Sequence, residues 1–300
     1  MKFPCRVPLC AAWAALAACG SPHPDATPAA PASAPATATQ FTPSADGVTI
    51  AWHKVGQGEP AIVLVHGWAE NSTIWRAQLA ALSGRFSVVT LDLAGQGASG
   101  ATRASWSLPA FAQDVAAVVA QLPNPRVVLV GQGMGGPVAL MAAPLIGTRL
   151  RGIIGVETFR TLGEPPPLPS QREQNLLRFR GDFVGAMRAF VTGTLFRPQA
   201  DPAVVRKVVD LMAQTVPERG LAALNELNRF DYATVLPLVK TPIMVIDSDL
   251  GGRADEGRLH RAAPQLRVIT LAGDDSFPML DDTQRFNSAL LQAIDSLVTR

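Results

Sequence analysis

The sequence predicts an α/β fold: a mostly parallel sheet flanked by helices, with a helical lid inserted after the sixth strand. Three observations carry this. From about residue 45, short apolar runs alternate with segments of helical periodicity, as a parallel sheet with crossover helices requires. Residues 126–141, RVVLVGQGMGGPVALM, read as a buried strand, a sharp glycine turn and a helix. Residues 159–238 then hold helical segments and no convincing strand, a stretch too long for a plain connection between strands.

Val48–Val55 alternates polar and apolar residues like an edge strand. Ala61–Val65 is continuously apolar, which suits a strand buried on both faces. Asn71 can cap a helix reaching Leu82, with Ile74, Trp75, Leu79 and Leu82 on one face. Ser87–Leu93 is the next strand. Ser107 can cap a helix through Leu122, and Pro123 and Pro125 stop it. A strand at Val127–Val130, a helix at Gly136–Ile146 and a strand at Gly152–Val156 follow. Within the insertion, Phe179, Phe183, Met187, Phe190 and Val191 lie at helical spacing, as do Val204, Val205, Val208, Leu211 and Met212. The α/β pattern returns with Ile243–Ile246, a helix around Arg253–Ala263, the strand Val268–Leu271 and a last helix from about Asp282 to Val298. No internal repeat is visible.

Met1–Ala18 reads as a secretory signal. Lys2 and Arg6 give it a positive start, and Val7–Ala18 is apolar but too short to span a bilayer comfortably. Leu16-Ala17-Ala18-Cys19 resembles the lipobox of bacterial lipoproteins. That resemblance implies cleavage before Cys19, lipidation of its thiol, and an exported protein anchored by lipid to a bacterial membrane and facing the periplasm. Residues 19–42 are rich in Pro, Ala, Ser and Thr, a composition that cannot bury a core and reads as a tether. The folded domain is expected over residues 43–300, with the lid at 159–238. The three cysteines are Cys5, Cys10 and Cys19, so that domain has no disulfide and no thiol nucleophile.

Lys plus Arg number 26 and Asp plus Glu 24. Lys2 and Arg6 leave with the signal, so the mature chain is close to neutral. This argues against a nucleic-acid partner and gives no polybasic membrane patch; the lipid is the expected membrane contact. The histidines are few and scattered, and Asp247-Ser248-Asp249 or Asp274-Asp275 offers too few ligands for a metal. No cofactor is expected, and the sequence carries no signal for oligomeric state.

Two loops that follow strands carry the chemistry. His66-Gly67-Trp68 follows the strand Ala61–Val65, where a backbone N–H can serve an oxyanion hole. Gly131-Gln132-Gly133-Met134-Gly135 has the form of a nucleophile elbow, G-x-S-x-G, with Gly133 in the nucleophile's place. Asp92 through Ser99 and Gly273 through Leu280 complete a set of four ordered motifs. Together they resemble the α/β-hydrolase superfamily from about residue 45 to 300. Its motifs read roughly H-G-W, D-x-x-G-H-G-x-S, G-H-S-M-G-G and G-H-F-P-M-L. This chain has Gln96 and Gln132 for two histidines, Gly133 for the serine, and Ser276 or a neighbouring Asp in the slot of the catalytic histidine.

A triad needs a nucleophile, an imidazole and an orienting acid. The resemblance offers two acid positions, Glu157 and Asp249, at the ends of successive strands. Of the four histidines, His23 lies in the tether, His53 on an early strand, His66 in the oxyanion loop, and His260 in or at the end of a late helix; none is well placed as a base. The oxyanion hole is made of backbone, so it survives the loss of side chains. Gly67, Trp68, Gly133, Met134 and Asp275 are therefore the candidate ligand-binding residues.

Three readings follow. The first is a non-catalytic pseudo-hydrolase binding a small acyl or carbonyl ligand or a partner. The alternative is an active ester-type hydrolase using Asp274 or Asp275 as a base on water. The remote one is a dinucleotide binder, because Gly131-x-Gly133-x-x-Gly136 and Glu157 also satisfy a nucleotide fingerprint.

Overall fold

The computed structural model describes residues 38–250 and 252–299; the signal, Cys19 and most of the tether lie outside them. One eight-stranded sheet has the order β1-β2-β4-β3-β5-β6-β7-β8. Its strands are β1 (Gln40–Pro43), β2 (Thr49–Val55), β3 (Ala61–Val65), β4 (Ser87–Leu91), β5 (Val127–Gln132), β6 (Leu150–Val156), β7 (Ile243–Ser248) and β8 (Leu266–Leu271). β1 and β2 run antiparallel, and every pairing from β4 to β8 is parallel. β3, β4 and β5 are buried along their whole length, which is why their sequences show continuous apolar runs rather than alternation.

The structure corrects the sequence reading at two early elements. The edge strand is β1, not the segment Val48–Val55, which pairs on both sides. β1 begins at Gln40, so residues 40–42 belong to the sheet and not to a tether. A buried carboxylate anchors this hairpin. Asp114 accepts from Ser44 Oγ at 2.6 Å, the Ala94 N–H at 3.1 Å and the Arg103 guanidinium at 2.6 Å.

The helices outside the insertion are α1 (Arg76–Leu82), α2 (Leu108–Ala120) and α3 (Gly135–Ile146) before it, and after it α9 (Glu256–Ala262), α10 (Pro278–Asp281) and α11 (Thr283–Val298). α1 starts later than expected. Asn71 caps through its side chain, accepting from the Thr73 N–H at 3.0 Å, but the first turn, Ser72–Trp75, is a 3₁₀ helix. α2 packs on α3, and α1 on α11. The insertion between β6 and β7 is helical: α4 (Pro169–Leu177), α5 (Phe183–Phe190), a π turn at Val191–Leu195, α6 (Pro202–Met212), α7 (Pro217–Arg229) and the short α8 (Tyr232–Val235).

The sheet order places the site. β3 lies between β4 and β5, so chain order reverses there. The loops leaving the C-terminal ends of β3 and β5 diverge and open a crevice between them.

Candidate active site

The loop after β5 is a tight elbow. A Cβ on Gly131 would run into the Gly135 carbonyl, and one on Gly135 into the Val65 carbonyl, so only glycine lets β5 turn directly into α3 against β3. Between them Gly133 stands at φ +50°, its N–H donating to the Val156 carbonyl at 3.0 Å. The position it presents is open: the nearest atom to a Cβ there would be the Gly67 Cα, at 3.9 Å. The elbow backbone is thus in place, with no side chain at position 133.

Trp68, after β3, and Met134, at the start of α3, face the same cavity. Among the described residues neither backbone N–H has an acceptor in the protein. Two free amides beside the positive end of a twelve-residue helix form a site for a carbonyl oxygen or a developing oxyanion. His66 holds this loop. It is fully buried, its Nδ1 bonds the Gly67 carbonyl at 2.9 Å, and its Nε2 accepts from the Leu93 N–H at 3.0 Å. Both nitrogens are used, and burial holds its pKa below the usual imidazole value.

The cavity has a volume of about 430 Å³. Its far wall comes from the insertion: Phe179, Phe190, Leu195, Met212 and Leu224 make it largely apolar, with Asn175, Arg178 and Asn228 among them. Trp68 binds this wall to the core. Its indole N–H donates to the Gly220 carbonyl at 2.8 Å, and its ring meets Phe179 edge-on at 5.1 Å between centroids.

Of the residues singled out from sequence, Trp68, Gly133, Met134, Glu157 and Ser276 line this one cavity, and Gly67 forms its floor beneath Gly133. Asp249 and Asp275 do not line it. Arg197, from the insertion, holds both: its guanidinium reaches Asp249 Oδ1 at 2.6 Å and Asp275 Oδ1 at 3.3 Å, and its backbone N–H donates to Asp275 at 3.0 Å. It also donates to the Asp274 carbonyl, while the Asp274 carboxylate pairs with Arg285 at 3.0 Å. The Ser276 N–H donates to the Leu195 carbonyl at 3.0 Å. Arg197 thus fills the corner between Asp249 and Asp275, and neither Asp274 nor Asp275, expected as a base on water, lines the cavity.

Glu157 sits at φ +49°, a costly conformation for a non-glycine residue, held because its carboxylate is fixed at both ends. One oxygen accepts from the Ser248 N–H and the other from Arg160 at 3.2 Å. Both oxygens thus tie the end of β6 to the loop after β7. Beside it, burial and then the Glu157 charge push Asp247 up to about 7.

Residues 62–289 match the model of the alpha/beta hydrolase family. The chain belongs to the alpha/beta hydrolase family. Along this alpha/beta hydrolase chain, 81% of the residues align at 29% identity with 96% of a pimeloyl-[acyl-carrier protein] methyl ester esterase of Edwardsiella ictaluri. A thermophilic esterase of Thermogutta terrifontis superposes on 87% of the chain and 99% of its own length, with a TM-score of 0.75 at 24% identity. An esterase of Exiguobacterium antarcticum does so over 85% and 98%, with a TM-score of 0.76 at 17% identity. At those identities the structural likeness speaks for the fold alone.

Sequence reasoning passed over two residues of this hydrolase site. Glu70 is 4% exposed, lines the cavity, and accepts the Gly67 N–H at 3.0 Å. Gln132 is 5% exposed, and its Oε1 has no hydrogen-bond donor among the described residues. The signal available for Glu70 was an acidic residue in an otherwise apolar loop three positions after Gly67.

Proposed function

We propose that the protein takes a small ester or related acyl compound into this cavity and hydrolyses it with a directly attacking water molecule, without a serine acyl intermediate. The observation that carries the reading is the intact oxyanion geometry around an open position 133: two unpaired amides, a helix N-terminus and an apolar cavity of about 430 Å³ remain, while the side chain that would form a covalent intermediate is absent. The esterases among its relatives support acyl chemistry in this frame. The largely apolar wall and the size of the cavity favour a short to medium acyl chain.

A second reading, binding without turnover, rests on a different observation: among the described residues no histidine lines the cavity. One experiment separates the two. Purified protein is incubated with 4-nitrophenyl acetate, butyrate and octanoate, with and without a fluorophosphonate. Turnover above buffer that the phosphonate leaves unchanged supports direct hydrolysis. Saturable quenching of tryptophan fluorescence without product supports binding alone.

We further propose that the domain is exported and held at a membrane by lipid on Cys19, a reading supported by the Leu16–Cys19 motif in the sequence. Radiolabelled palmitate incorporated into the protein and lost in Cys19→Ser is the expected result, and an unlabelled wild-type protein would refute it.

A further inference from the structure

We infer that Glu70 is the general base of this cavity, taking a proton from a water molecule seated between its carboxylate, the Gln132 side chain and the open position above Gly133. This rests on the hydrolytic reading above and names the group that reading lacks.

The geometry converges on Gly67. Glu70 Oε2 accepts the Gly67 N–H at 3.0 Å, and Oε1 stands on the side of the Gln132 side chain. Glu70 Oε1 and Gln132 Oε1 lie on the same side of Gly67, where a Cβ would collide with both; the Glu70 oxygen would be 2.7 Å from it. That Gly67 Cα is also the nearest atom to the open position of Gly133, at 3.9 Å. Two oxygen acceptors therefore border the spot from which a nucleophile would meet a carbonyl held by Trp68 and Met134. A water there can give one O–H to each acceptor and keep a lone pair for attack. The unpaired, buried Gln132 Oε1 points to such a donor.

Other charged or titratable groups do not compete for the role. Glu157 and Arg160 bond each other and the β7 loop. Tyr232, pushed by burial up to about 12, stays neutral. Arg178 lines the cavity as a cation, and His66 beneath the loop has both nitrogens engaged. Burial pushes Glu70 itself up to about 8, against the pull of the Gly67 N–H and the Gln132 side chain, which makes its ionised form an unusually strong carboxylate base near neutral pH.

The step balances. The water oxygen forms a bond to the acyl carbon as its proton passes to Glu70. The carbonyl electron pair moves to oxygen, against the Trp68 and Met134 amides. On collapse the bond to the alcohol oxygen breaks, and the departing alkoxide takes the proton back from Glu70. The products are a carboxylic acid and an alcohol.

The test compares wild type, Glu70→Gln and Gln132→Leu on 4-nitrophenyl butyrate, with thermal melts to confirm folding. Glu70→Gln is expected to lower kcat about 10²–10³-fold with KM changed less than threefold. Wild-type kcat should rise with pH through an apparent pKa near 8, and the variant's residual rate should lack that step. Gln132→Leu should lower kcat but keep the step, as a positioning residue would. One turnover in H₂¹⁸O should place the label in the acid product. If Glu70→Gln cleaves as fast as wild type with the same pH profile, Glu70 is not the base and the hydrolytic reading survives. If the label enters Glu70 while the first-turnover acid is unlabelled, Glu70 is a nucleophile and the inference fails. If wild type does not cleave any ester, the hydrolytic reading fails first and Glu70 with it.

Discussion

Gly133→Ser combined with Ser276→His and Arg197→Leu is expected to cleave aryl esters at least about 10²-fold faster than the native protein, and to be inactivated by a fluorophosphonate. The elbow already holds position 133 at φ +50° with its Cβ direction open, so a serine hydroxyl would project into the cavity without displacing a neighbour. Position 276 lines the same cavity. The third change is needed because Arg197 holds Asp249, the acid that would orient an imidazole on residue 276. An imidazole without its orienting carboxylate costs about 10⁴-fold in a serine triad. Gly133→Ser with Ser276→His alone should therefore stay at least tenfold below the triple variant in kcat. Equal rates for double and triple variants would show that Arg197 does not block the corner.

Stability should fall as pH rises from about 4.5 to 8, and Glu70→Gln should flatten much of that fall. The sign follows from proton counts. Glu70 is pushed from 4.5 up to about 8 by burial, so between those values the folded chain holds a proton that the unfolded chain has lost. The contribution is fully present below the unfolded value and is lost as pH rises through the folded one. At pH 9 relative to pH 4, Glu70→Gln should gain roughly 3–5 kcal/mol over wild type in urea unfolding. Asp247, raised to about 7, acts in the same direction and leaves a residual slope in the variant. A variant whose pH dependence matches wild type would mean that Glu70 is ionised in the folded protein at neutral pH.

The sheet was legible because its central strands are apolar on both faces and the turn after β5 carries glycines, of which Gly131 and Gly135 cannot be replaced without a clash. β3 and β5 follow from their apolar runs, and the elbow from Gly131, Gly133 and Gly135. Asn71 and Ser107 marked helix starts because their side chains do cap, although the 3₁₀ turn after Asn71 has no separate signature in the sequence. β1 was hidden in a Pro- and Ala-rich stretch, because what seats it is remote: Ser44, beside it, bonds Asp114, which is 70 positions away. The same limit applies at the site. Gly133 and Ser276 were readable from ordered motifs. Arg197 was not, since nothing near it in sequence tells that it will meet Asp249 and Asp275, 52 and 78 positions on. Glu70 was passed over because a carboxylate in a loop normally faces water, whereas this one is buried beside Gly67 and Gln132, the latter 62 positions on.

The central claim, hydrolysis without a covalent acyl intermediate, is tested most directly by intact-mass spectrometry of the native protein quenched at intervals during turnover of 4-nitrophenyl butyrate. The account predicts nitrophenol accumulating linearly, without a burst, and a protein mass that stays unmodified at every time point. A butyryl adduct appearing with a stoichiometric burst of nitrophenol would contradict it.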